Sequence, residues 1–123
     1  MAEGKNVFGE PLEACCSSLK TGFYRTGACE TGPEDRGAHV VCAEVTEGFL
    51  AFCRSKGNDL STPVPAFNFP GLKPGDRWCI CAGWWKRALD AGVAPPVVLT
   101  ATHETALDQL SMADLKKRAL DVA

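Results

Sequence analysis

Two stretches of the chain alternate apolar and polar positions with the two-residue period of a β-strand. Over residues 38–45, AHVVCAEV, β-branched residues dominate. Alternation there sets Val40, Cys42 and Glu44 on one face against His39, Val41, Ala43 and Val45 on the other. Over 78–82, WCICA, the same period puts Cys79 and Cys81 on one face and Ile80 on the opposite one. Residues 21–25, TGFYR, and 97–102, VVLTAT, are two further strand candidates, and 6–11 reads as a short extended start closed by a turn.

Elsewhere the apolar spacing lengthens to that of a helix. Phe49, Leu50, Phe52 and Cys53 form one stripe behind a capping Thr46, and Gly57 stops it. Trp84, Trp85, Ala88 and Leu89 form a second stripe, stopped by Gly92, and Leu107 with Leu110 suggests a short helix. Ser111-Met112-Ala113-Asp114 matches a capping signature, and Leu115, Ala119 and Val122 give the last helix, 112–122, its apolar side. Between the first helix and WCICA, residues 58–77 carry four prolines and no periodicity. Ordered stretches of that length in a compact domain tend to persist where they serve a site.

Strands and helices mix without the regular alternation of a doubly wound sheet. They predict an α+β fold: a compact two-layer domain, a small, mainly antiparallel sheet, helices packed on one face and a long, ordered Pro/Gly-rich loop. At 123 residues the chain makes one domain, 1–123, long enough to bury a core of its own.

Composition removes several classes of function. With 46% hydrophobic and 23% charged residues, disorder is a poor reading of the whole chain. The net charge is -2 and the single basic run is Lys116-Lys117-Arg118, so no nucleic-acid partner is expected. No apolar run reaches the length of a membrane span, and MAEGKNVFGE lacks the apolar stretch of a signal peptide. The expectation is no membrane partner and a cytoplasmic or other reducing intracellular location. In such a compartment the seven cysteines, an odd number, are expected reduced and buried, without disulfides.

The chemistry of interest lies in 75–85, GDRWCICAGWW, where three tryptophans crowd the Cys79-Ile80-Cys81 pair. A zinc site needs four soft ligands, usually two close pairs. Cys42, Cys79 and Cys81 are weak candidates for it, with Cys15/Cys16 or His39 to complete the set. No C-x-x-C occurs, so no cofactor is favoured and zinc stands as the one to test. A redox role is less supported. A ring closed across one residue is strained, and no helix N-terminus is expected at the pair.

A thiol nucleophile with a histidine base would draw on Cys29 or Cys42 with His39 or His103. GACETG lacks the lysine and hydroxyl of a P-loop, and Glu30, Glu34 and Asp35 do not match a calcium hand loop. The long loop offers donors and acceptors in a row. The candidate pocket gathers His39, Asn58, Asp59, Ser61, Thr62, Asp76, Cys79, Cys81 and His103. The competing account is that Asp59, Ser61 and Thr62 only cap local backbone.

NVFGEPLE, TGFYR, TGPEDRG, GNDLSTP, FPGLKPGDRWCICA and AGVAPPVVLTATHE together resemble the domain of unknown function 2237 family, small and mostly bacterial proteins, over about residues 6–107. The resemblance implies a compact two-layer α+β fold and no particular activity. It implies that His39, Cys42, Asn58, Asp59, Ser61, Thr62, Asp76, Arg77, Trp78, Cys79, Cys81, His103 and Glu104 are shared. Cys16, Cys53 and Trp84 depart from the family pattern, which weighs against any scheme that needs Cys16 or Cys53 as a ligand.

Three functions stay open. The sequence favours a small binding or interaction module, such as an accessory subunit of a larger assembly, with a protein or a small ligand as partner. The alternatives are a small enzyme with a thiol or carboxylate site near the 58–81 loop and strand, and a cysteine-cluster metal protein.

Overall fold

The computed structural model describes residues 4–16, 19, 21–67 and 69–121. Two strands, β1 (His39–Glu44) and β2 (Arg77–Cys81), pair antiparallel. Three helices, α1 (Glu47–Ser55), α2 (Ala82–Asp90) and α3 (Met112–Lys117), and three short 3-10 turns complete the elements. The expected α+β class holds.

Helix starts follow the capping chemistry. The Thr46 hydroxyl accepts from the Phe49 N–H at 3.1 Å and opens α1, and Ser111 does the same for α3 through Asp114 N–H. Gly57, at φ +85°, turns the chain out of α1. Phe49, Leu50 and Cys53 of α1 and Ala82, Trp85 and Ala88 of α2 are buried with Val41, Ala43 and Ile80 of the strands in one core. A second, smaller cluster holds Cys15, Cys29, Cys42, Cys79, Val98 and Ala101.

Two strands suffice because other groups close the outer edges of the pair. The Thr21 hydroxyl accepts from Cys79 N–H at 2.8 Å. The Thr102 hydroxyl accepts from Cys42 N–H and donates to Val98 C=O. Loop amides of Val98 and His103 donate to the carbonyls of Cys42 and Val40. Thr21 and Thr102 are fully buried for this reason, since an unpaired ladder group away from water costs about as much as a lost hydrogen bond.

The structure corrects four local expectations. Residues 21–25 form turns rather than a strand, with Arg25 at positive φ. Residues 97–102 make isolated bridges at Val97, then a 3-10 turn, Leu99–Ala101, whose first two amides are held by the Asp121 carboxylate. Helix α3 ends at Lys117. Beyond it the chain turns so that Leu120 N–H reaches Val97 C=O, and Val122 lies outside the described residues.

The fourth correction concerns His39. The register pairs His39 with Cys81 but Val41 with Ile80, so Val40 is an extra residue in β1. Such a bulge shifts everything before it by one position. It moves His39 off the Val41 face and onto the face of Cys81, and it leaves both Val40 and Val41 buried.

Trp85 is the largest fully buried side chain, and its indole N–H donates to Pro95 C=O at 3.0 Å. Trp85→Phe removes that donor and leaves a void. We expect a loss of about 2–3 kcal/mol in urea unfolding, from an orphaned carbonyl plus a small cavity.

Candidate functional site

Cys81 closes β2 and is at once the N-cap of α2. No helix N-terminus was expected here, because the apolar stripe begins only at Trp84. The helix in fact starts at Ala82, whose N–H donates to Ala38 C=O at 3.0 Å. The cap makes no side-chain hydrogen bond to the first turn, so the amides at the positive end of the nine-residue α2 are left to other partners.

His39 stands beside this thiol. Its Nδ1 lies 2.6 Å from Asp35 Oδ1, and the ring and the Cys81 sulfur share the space beside Gly37. Cys81 is the largest influence on the imidazole and raises its pKa to about 9. Burial opposes the rise, and the Asp35 carboxylate adds to it. Asp35 is held in turn: its other oxygen accepts from His39 N–H at 3.0 Å and from the Thr31 hydroxyl at 3.0 Å, and its side chain is fully buried. Asp35, His39 and Cys81 thus stand in series, the carboxylate bonded to the imidazole and the thiol beside the ring.

The backbone around the line is specialised. Asp35 C=O accepts from Ala38 N–H, and Ala38 sits at φ +50°, a conformation uncommon for a non-glycine residue. A side chain at Gly37 would meet His39 Cε1 at 2.8 Å and Cys81 Sγ at 3.3 Å, so the ring and thiol fit together only over a glycine. Phe23 stacks on the outer face of the His39 ring at 6.0 Å between centroids.

Two concavities meet at Cys81. One, about 120 Å³, is lined by His39, Asn58, Leu60, Trp78, Cys79, Ile80, Cys81 and Trp84. The other, about 350 Å³, is an open groove on the α2 side. Ligand pockets run from roughly 300 to 1,000 Å³, so the groove has room for a small molecule and the cavity only for part of one.

The structure therefore brings His39, Asn58, Cys79 and Cys81 to one cavity, with the start of the long loop as a wall. It does not bring the rest. Asp59 accepts from Ser61 N–H, the Ser61 hydroxyl and the Thr62 hydroxyl, which lowers its pKa to about 2. Asp76 accepts from Lys73 N–H. Both make the local caps of the competing account. His103 caps a 3-10 turn through Thr105 and packs against Gly4, and burial lowers its pKa.

The cysteines are not all reduced. Cys15 is bonded to Cys42 and Cys29 to Cys79, while Cys16, Cys53 and Cys81 keep their thiols. The odd count concealed an even set of four that the fold gathers from four separate segments. Cys29 and Cys42 are thereby removed as nucleophiles. Of the metal candidates, Cys79 lies in a buried group of three sulfurs, while Cys42 and Cys81 fall outside it. The sulfurs that lie within 4.8 Å of one another are those of Cys15, Cys29 and Cys79. Four thiolates around zinc require both disulfides to be reduced, so the two states exclude each other.

Asp35 was missed as a site residue. Its signal was present in the sequence as Asp35 and His39 four apart, but they lie across a turn rather than on a helix. Among the described residues no helix is long and apolar enough to cross a membrane. No curated protein matches the chain. A family model described as "Uncharacterized protein conserved in bacteria (DUF2237)" matches residues 5–119, nearly the whole chain, and the chain belongs to that family.

Proposed function

We propose that the protein is a small thiol-dependent enzyme acting by acyl transfer, with Cys81 as nucleophile, His39 as its proton carrier and Asp35 as the residue that orients His39. The observation that carries this reading is the Asp35–His39–Cys81 line at the mouth of a groove and at the N-terminus of α2. A binding module has no need of a thiol, an imidazole and a buried carboxylate held in series.

The chemistry follows from the raised imidazole. At neutral pH His39 already holds its second proton, so it enters as the acid. The Cys81 sulfur, as thiolate, adds to the carbonyl carbon of an acyl compound, and the oxygen takes the negative charge within reach of the first-turn amides of α2. Collapse breaks the bond to the leaving group, which departs with the His39 proton and leaves a thioester on Cys81. Neutral His39 then removes a proton from water. The hydroxide adds to the thioester, the carboxylic acid leaves, and the thiolate and protonated imidazole are restored. The net reaction consumes one water and needs no oxidant.

The test is p-nitrophenyl acetate with the oxidised, full-length protein. We expect a burst of one nitrophenolate per chain, an acetyl group on Cys81 by peptide mass mapping, no burst with Cys81→Ala and a burst slowed roughly 100-fold with His39→Gln. Absence of the burst, or acetylation spread equally over Cys16 and Cys81, rules the reading out. Cys53 is a built-in control, because burial pushes its thiol up to about 11.

A further inference from the structure

We infer that the electrophile presented to Cys81 carries a small anionic group, a carboxylate or phosphate, seated in the groove between Arg36 and Arg87; this rests on the thiol reading above. The groove is lined by Arg36, Cys81, Gly83, Trp84, Arg87 and Gln109, among others, and no carboxylate lines it. The chain as a whole is acidic, with 15 acidic against 13 basic side chains. Two arginines facing one thiol are therefore not a sample of the general surface.

Among the described residues neither guanidinium makes an ion pair or a hydrogen bond. The ion pairs among these residues are His39 with Asp35, Arg77 with Glu44 and Lys86 with Asp90. Arg87 is held in place all the same, its guanidinium carbon 4.2 Å from the Trp84 ring centroid, an arrangement that leaves its N–H groups available. The guanidinium fork matches a pair of carboxylate or phosphate oxygens.

The floor of the groove adds neutral donors. Gly83 lies in the first turn of α2, where amides lack intrahelical acceptors. Having no side chain, it leaves that backbone open: an added Cβ would meet nothing nearer than Gln109 Oε1 at 4.0 Å. The Gln109 amide faces the same space. Arg36, Arg87, the start of α2 and Gln109 thus surround a position next to the Cys81 sulfur, where an anionic end would hold the rest of a small molecule against the thiol.

The experiment compares two alkylating reagents of nearly equal size and opposite character, iodoacetate and iodoacetamide, on the full-length oxidised chain. In both the sulfur forms a C–S bond as the C–I bond breaks and iodide leaves. Rates are read at Cys81 by peptide mass mapping at fixed pH and ionic strength. We expect the iodoacetate-to-iodoacetamide rate ratio at Cys81 to exceed that of the urea-unfolded chain by roughly tenfold or more. Arg36→Gln with Arg87→Gln is expected to bring the ratio down to the unfolded value, the ratio cancelling any change in thiolate fraction common to both reagents, and Arg36→Lys with Arg87→Lys to keep most of the preference. A ratio equal to that of the unfolded chain, or one indifferent to the glutamine pair, overturns the anion site. Failure of the thiol reading appears separately, as an iodoacetamide rate at Cys81 no faster than in the unfolded chain.

Discussion

Reduction of the two disulfides is expected to unfold the domain at moderate temperature. Cys15–Cys42 closes 27 residues and Cys29–Cys79 closes 50. On loop-closure entropy these stabilise by about 3.5 and 4 kcal/mol taken singly. The loops overlap, because Cys29 lies inside the first one, so the joint effect is somewhat less than the sum. A chain of this length has a net stability of roughly 6–18 kcal/mol, so losing most of both terms consumes a large part of it. Urea unfolding with and without dithiothreitol checks this, and intact mass under denaturing, non-reducing conditions should be lower by the four hydrogens lost in forming the two bonds. A urea midpoint indifferent to reductant overturns the expectation. Partial loss of Cys81 reactivity should precede unfolding, since Cys29–Cys79 ties β2, two residues from Cys81, to the loop that carries Asp35.

Periodicity carried the regular elements well, because their cause is local. The stripe of Phe49, Leu50 and Cys53 behind a threonine cap marks a helix that buries this face in the core. What periodicity could not carry is what other segments impose. The strand expected over 97–102 fails because the edge of β1 is closed by single hydrogen bonds and by the Thr102 hydroxyl, not by a third ladder. His39 was put on the wrong face because a bulge at Val40 is invisible to strict alternation.

The site divides in the same way. The WCICA pair and the start of the long loop stood out by composition, and both line the cavity. Asp59, Ser61 and Thr62 stood out equally, yet Asp59 bonds Ser61 and Thr62 beside it, the Ser61 hydroxyl also accepts from Arg54 of α1, and none of the three lines the cavity. The pairing of Cys15 with Cys42 and of Cys29 with Cys79 depends on contacts between segments far apart in sequence. Reduced thiols were inferred from the expected compartment, and the two disulfides overturn that inference for four of the seven cysteines.

Asp35→Asn is expected to lower the midpoint at which His39 titrates and to slow acylation of Cys81 roughly 100-fold while the fold persists. The imidazole is raised to about 9 first by Cys81 and then by Asp35. Cys81→Ala should therefore depress the midpoint further than Asp35→Asn does. Asparagine keeps the shape and one acceptor for His39 N–H or Thr31, but its amide offers donors where Nδ1–H needs an acceptor, so the ring loses its orientation. The sign on stability follows from a folded value above the unfolded one near 6.5. The protonated imidazole contributes fully below about pH 6.5, and the contribution fades as pH rises through about 9. The His39 ring stands about a third exposed, so solvent keeps that contribution modest. The rate profile should be sharper than the stability profile: acylation by an alkyl ester, whose basic alkoxide needs a proton to leave, should fall above pH 9 as His39 loses the proton it must give. Proton NMR of the His39 Cε1–H follows the midpoint directly. A wild-type midpoint near 6.5, or one that neither substitution moves, would remove His39 from the reaction and leave Cys81 an ordinary thiol in a groove.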